Sequence, residues 1–164
     1  MIIRKATLED LPQLMEIFAA AKAIMRDSGN HKQWNGTYPT EDIVKMDIAT
    51  GVCHVACDDN GVVATMSFIP GPDPTYAVIH EGSWPDDREY HVIHRIAVSA
   101  PGKGIARKML DWAFEHADTI RIDTHRDNCI MHHILRGYGF VPCGVIYLAN
   151  GDPRDAYHMT KCGQ

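Results

Sequence analysis

Apolar residues along the chain recur with two periods. Leu11, Leu14, Met15 and Phe18 fall three and four apart, the stripe of an amphipathic helix. Thr7 and Asp10 stand ahead of it with capping-box spacing. Ile105, Met109, Trp112 and Ala113 mark one side of another helix within 102–117. Thr40 is a suitable N-cap for a helix through Ile48, and a short helix is predicted from Asn128 to Arg136, ending near Gly137. Strand-like runs lie between: IIRKA, VCHVAC, VVATMSFIP, Tyr90 to Val98, TIRIDTH, FVPCGVIYL and AYHMTK. Asn60-Gly61 predicts a hairpin between the second and third runs, and Asn150-Gly151-Asp152-Pro153 turns the last pair. HKQWNGTYP and the Pro- and Gly-rich stretch 71–85 read as loops. The order β, α, α, β, β, β, α, β, α, β, β indicates an α+β or α/β sandwich with a mostly antiparallel sheet.

The 164 residues suit one domain, 1–164, with a proper core. The net charge of −5, without blocks of like charge, argues against a nucleic-acid partner and is compatible with a cationic substrate. No apolar stretch is long enough to span a bilayer, and MIIRKATLEDL lacks the apolar region of a signal peptide. Five cysteines, an odd number, then read as reduced thiols, and a cytoplasmic location without a membrane partner is expected. Cys53 and Cys57 share a strand face but lie roughly 13 Å apart, too far to hold one metal ion. They read as small buried hydrophobes. His91 and His94 point to opposite strand faces, and His132 and His133 are adjacent on a helix, so no metal site is expected.

APGKGIA, residues 100–106, joins a strand run to a helix. The first amides of a helix have no partner within it, and the helix dipole favours an anion there. Gly102 and Gly104 would let a phosphate approach the backbone, and Lys103 would add charge. A plain tight turn fits these residues equally well. A Rossmann fingerprint is not met, because Arg107 stands where the third glycine belongs, and no Gly-Lys-Ser/Thr of a Walker A loop is present.

IHRIAVSAPGKGIARKML resembles the central motif of the GNAT acetyl-CoA-dependent N-acetyltransferases, Arg/Gln-x-x-Gly-x-Gly/Ala. Gly104 and Ala106 match its last two positions, Gly102 matches a common extra glycine, and Pro101 replaces the basic first position. IRKATLEDLPQLMEIF is similar to the family's first strand and helix. RIDTHRDNCIMHHILRGYGF resembles its second signature, with Asn128 at the asparagine position and Gly139-Phe140 at the terminal pair. The resemblance implies a single GNAT domain: a twisted sheet of about seven strands, helices on both faces, and the strands from Tyr90 and Thr119 splayed to admit pantetheine.

It also implies acetyl-CoA as co-substrate and an amine acceptor, with a homodimer as a possible assembly. Gly102, Lys103, Gly104, Ile105, Ala106 and Arg107 would hold the diphosphate, while Ile96, Ala97, Val98 and Asn128 would hold pantetheine and the thioester carbonyl. An amine of pKa about 10.4 is nucleophilic in only about one molecule per thousand at neutral pH, so a base is useful. His94, expected on the face of Ile96 and Val98, is the leading base; Glu89, Tyr90 and Asp123 are rivals. The family's usual acid, a tyrosine seven residues after the asparagine, is Leu135 here; Tyr138 or Cys129 would substitute. Trp34, Tyr38 and Trp84, with Tyr76, lie in loops that rim the acceptor site in this family, as an aromatic wall or as satellite packing. Arg95, expected opposite His94, reads as a structural anchor, and Arg154 and Asp155 as a solvated turn. The expected function is N-acetylation of a primary amine of a small molecule or peptide by direct transfer. The alternative is a non-catalytic acyl-CoA-binding or interaction domain on the same scaffold.

Overall fold

The computed structural model describes residues 1–162. Its strands are β1 (Ile2–Lys5), β2 (Cys53–Asp58), β3 (Gly61–Pro70), β4 (His91–Val98), β5 (Thr119–Thr124), β6 (Val141–Tyr147) and β7 (Pro153–Thr160). Its α-helices are α1 (Leu11–Asp27), α2 (Glu41–Ala49), α3 (Ile105–His116) and α4 (Cys129–Tyr138). The strands form one seven-stranded sheet in the order β1-β2-β3-β4-β5-β7-β6, antiparallel except where β4 meets β5.

Local chemistry explains the boundaries. The Asp10 carboxylate accepts from the Thr7 amide at 2.8 Å and from the Arg4 guanidinium at 2.7 Å, ordering the entry to α1. Thr40 Oγ accepts from the Ile43 amide and caps α2. The third helix starts at Ile105 and not at residue 102, because Gly102 (φ +81°) and Gly104 (φ +68°) adopt left-handed backbone that a right-handed helix excludes. The fourth runs past Gly137 and stops at Gly139, whose φ of +124° ends it.

Leu14, Phe18 and Val44 of α1 and α2 pack with Val55 and Ala97 on one face of the sheet. Met109 and Leu110 of α3 and Leu135 of α4 pack with Met66, Ile93 and Ile120 on the other. A smaller cluster under the 71–90 loop joins Tyr76, Val92, Ile146 and Ala156. Truncating a fully buried residue such as Leu135 to alanine costs about 2–5 kcal/mol.

Two irregularities in β4 open the fold. Its parallel pairing with β5 is limited to His91↔Ile120 and Val92↔Arg121, after which the strands part. Against β3, Ser67 pairs with His94 and Thr65 with Ala97, so Arg95 and Ile96 together oppose Met66. This bulge puts Arg95 at φ +53°, and it lies just past the point where the pairing with β5 ends; bulges strengthen local strand twist. It also breaks the two-residue alternation. Ile93 and Ile96 pack in the same core, so His94 does not share a face with Ile96 and Val98 as ideal alternation predicts. His94 instead follows its pair Ser67, whose hydroxyl points to Asp47 of α2. Arg95 reaches the same Asp47, so it lies beside His94 and not opposite it.

Candidate active site

A cavity of about 650 Å³ fills the gap between β4 and β5. His94 and the β4 segment 96–98 form one wall, Asp123 the facing one, and Asn128 and Met131 of α4 one end. Trp34 and Tyr38 of the 31–40 loop also line it. Trp34 packs edge-on against Phe18 at 5.6 Å, and the Tyr38 hydroxyl accepts from Arg95 Nη1 at 3.0 Å. Arg95 in turn donates from Nε and Nη2 to Asp47, a fork that ties α2 to β4, while its Nη1 bond to Tyr38 ties the 31–40 loop to the same strand.

At the centre, His94 Nε2 lies 2.8 Å from Asp73 Oδ2, and Nδ1 lies 3.7 Å from Asp123 Oδ2. Burial pushes Asp73 up, but hydrogen bonds from His94 and from the Thr75 hydroxyl and amide outweigh it and hold the carboxyl down at about 2. A carboxylate only accepts, so Nε2 is the donor, and in the neutral ring Nδ1 keeps the lone pair. Asp123 Oδ2 also accepts from the Tyr76 hydroxyl at 2.7 Å. Tyr76 is fully buried; burial and the adjacent Asp123 charge push its phenol well up, so it remains a donor. A buried phenol thus holds Asp123, and Asp73 holds the imidazole through Nε2, with Nδ1 turned toward Asp123.

The start of α3 presents a different surface. The first helical bond runs from the Lys108 amide to the Gly104 carbonyl, which leaves the amides of Ile105, Ala106 and Arg107 outside the ladder. No atom lies within 4 Å of where a Cβ would sit on Gly102 or Gly104. The left-handed backbone favours glycine there, and the space beside it is open to a ligand. Lys103 and Arg107 are exposed at this end, and Ala106 lines the cavity. Asn128 caps α4 by accepting from the Met131 amide at 3.1 Å, and its amide donates to Gln33 Oε1 at 2.9 Å, tying the 31–40 loop to the cavity.

Several sequence expectations fall elsewhere. Tyr138 does not line the cavity. It donates to Asp111 at 2.9 Å between α4 and α3, and burial together with that bond pushes its phenol up to about 12. Trp84 is also away from the cavity. Its indole donates to the Tyr76 carbonyl and its ring carries Arg121 at 4.1 Å, which makes it packing under the loop. Cys129 and Glu89 are exposed and outside the lining, and the Tyr90 hydroxyl accepts from the Asp73 amide. Cys53 is buried, which pushes its thiol up to about 11, and Cys57 is half-buried. Arg154 is not a solvated turn: it is 7% exposed and lines the cavity. Sequence reasoning also missed Asp73, which belongs to a loop without periodicity. Arg154 had one signal: extending the last strand back to Pro153 puts it on the face of Ala156. Among the described residues no group of three or more His, Cys, Asp or Glu side chains gathers as for a metal ion, and no helix is long and apolar enough to cross a membrane.

The model of the acetyltransferase (GNAT) family matches residues 12–140. A GNAT-family acetyltransferase from Streptococcus agalactiae is 32% identical, with 99% of this chain and 96% of that one covered and a TM-score of 0.91. An acetyltransferase structure from Staphylococcus aureus (21% identity, 98% and 99% covered, TM-score 0.71) shares the fold. So does a ribosomal-protein-alanine N-acetyltransferase from Brucella melitensis (20% identity, 98% and 99% covered, TM-score 0.67). No curated protein matches the chain. The chain belongs to the GNAT acetyltransferase family, and its seven-stranded mixed sheet with flanking helices is the GNAT fold.

Proposed function

We propose that the protein moves an acetyl group from acetyl-CoA directly to a primary amine, with His94 as the base. The observation that carries this reading is the placement of His94: its two ring nitrogens face Asp73 and Asp123 in the cavity where β4 and β5 part. Acetyl-CoA supplies the activated acyl group; the rest of the chemistry falls to this chain's residues.

The amides of residues 105–107, the open space at Gly102 and Gly104, and exposed Lys103 and Arg107 suit the diphosphate. Beyond Val92 the β5-facing edge of β4 has no strand partner among the described residues, so the backbone of 96–98 suits pantetheine and the thioester oxygen. Ala106 and Asn128 line the path between the two. On the acceptor side, the Asp73 and Asp123 carboxylates attract an ammonium, and Trp34 and Tyr38 enclose it. His94 Nδ1 takes the proton as the amine becomes nucleophilic. Asp73 acts as a positioning residue, fixing the tautomer through Nε2, and the Tyr76 bond orients Asp123. None of the five thiols lines the cavity, in keeping with direct transfer. The position of the family's usual acid holds Leu135, buried in the core, and the Tyr138 hydroxyl is bonded elsewhere. A thiol of pKa about 8.5 leaves without such an acid.

An amine panel with detection of free thiol tests the reading. Thiol release that depends on at least one primary amine is expected. Thermal stabilisation by coenzyme A without turnover on any amine would establish the binding-module alternative instead.

A further inference from the structure

The chain buries two arginines, Arg121 and Arg154. Arg121 lies between the rings of Trp84 and Tyr90, at 4.1 and 4.0 Å, and donates to the Asp86 carbonyl. Arg154 has no such partners. Its one hydrogen bond runs from Nη1 to the carbonyl of its own neighbour, Pro153, at 2.9 Å. No carboxylate among the described residues pairs with it, and no aromatic ring lies under it. Asp152, also in the lining, accepts from Asn150, and Asp155 lies by His132. Yet no nitrogen of Arg154 is both fully enclosed and unbonded, so its free donors reach the cavity it lines. A guanidinium keeps its charge, and an enclosed charge without a counter-ion is costly. This fork lacks an anion.

Topology places that anion on the acceptor side. Arg154 pairs with Ile146 and shares the sheet face of Ala156, in the cluster with Val92. His94 lies on that face, while α3 packs on the other. The diphosphate expected at the α3 start is therefore not what Arg154 faces. Asp123 pairs with Ala156, which makes Arg154 its diagonal neighbour, with Cβ atoms about 7 Å apart. An amine held by Asp123 and an anion held by Arg154 then fit within one small molecule.

We propose that the acceptor is an amino-acid-like amine bearing a free carboxylate, which Arg154 binds through its fork; this rests on the acetyltransferase reading above. A carboxylate matches the planar guanidinium at two oxygens. A peptide N-terminus, whose neighbouring carbonyl is an uncharged amide, leaves Arg154 unpaired.

The test uses the full chain with acetyl-CoA and thiol detection. Each standard L-amino acid is set against its amide and its decarboxylated amine, beside short peptide amides. The free acids are expected to win by about ten- to a hundredfold in kcat/KM, the range of one charge-assisted bond. Arg154→Gln removes that preference, mainly through KM, while coenzyme A affinity by calorimetry persists. Arg154→Lys restores part of it. Neutral amines or peptide amides that match the free acids in wild type would overturn the proposal and leave acetyl transfer standing. Retention of the preference in Arg154→Gln would overturn it too. Calorimetry of N-acetylated amino acids against wild type gives a reading independent of turnover: absence of carboxylate-dependent binding refutes the carboxylate subsite even if no amine reacts.

Discussion

Replacing Asp73 with asparagine removes one charge and leaves the shape. In the folded protein this carboxyl sits at about 2, against an ordinary value of 3.8. At roughly 1.36 kcal/mol per pH decade, that gap contributes about 2 kcal/mol to stability at neutral pH. The side chain is only 17% exposed, so solvent screening takes little from it. The sign follows from the depressed value: the contribution is present above pH 3.8 and is lost as pH falls through about 2. Asp73→Asn should therefore be less stable than wild type at pH 7 by about 2 kcal/mol, lowering Tm by roughly 4–8 °C. At pH 3 the difference should have shrunk to about half. The amide has a second consequence. It can donate to Nε2, which moves the ring proton to Nδ1 and removes the lone pair facing the cavity. We expect kcat for amine acetylation to fall by about 10²-fold or more, with the affinity for coenzyme A unchanged. Urea denaturation at pH 7 and pH 3, calorimetry with coenzyme A, and amine-dependent thiol release give the three readouts. A stability difference of equal size at both pH values, or an unaltered kcat, would refute the reasoning.

His94→Ala should lower kcat chiefly below the pH at which the free amine dominates, read from a pH–rate profile; a loss equal at every pH would mean that the ring is structural. Gly104→Glu should abolish coenzyme A binding in calorimetry, since it puts a like charge beside the diphosphate, whereas Gly104→Ala isolates the left-handed backbone cost of about 1–2 kcal/mol. Unchanged affinity in Gly104→Glu would refute the placement of the diphosphate at α3. Tyr138→Phe should keep wild-type turnover and lose about 0.5–1.5 kcal/mol of stability with its bond to Asp111. A tenfold fall in kcat would restore Tyr138 as the acid.

What the sequence determined was local. Helical stripes, the Thr40 and Asn128 caps and the Asn60-Gly61 turn each depend on residues a few positions apart, and the elements they predict are present. The glycines at 102 and 104 marked the start of α3 because a left-handed backbone sign is a property of the residue itself. Tertiary structure decided the site. One bulge, set by how β3 and β4 pair, moved His94 to the other face and put Arg95 beside it; alternation along an isolated strand carries no trace of that shift. Asp73 meets His94 across 21 positions, from a loop with no period to read. Trp34 reaches the cavity while Trp84 packs elsewhere, although both come from similar aromatic loops, because long-range packing alone decides which loop covers the gap. Arg154 reads as a turn residue until the last strand pairs with β5 and carries it inside. Spacing along the chain sets the elements, but charges and donors meet only where separate elements are brought side by side.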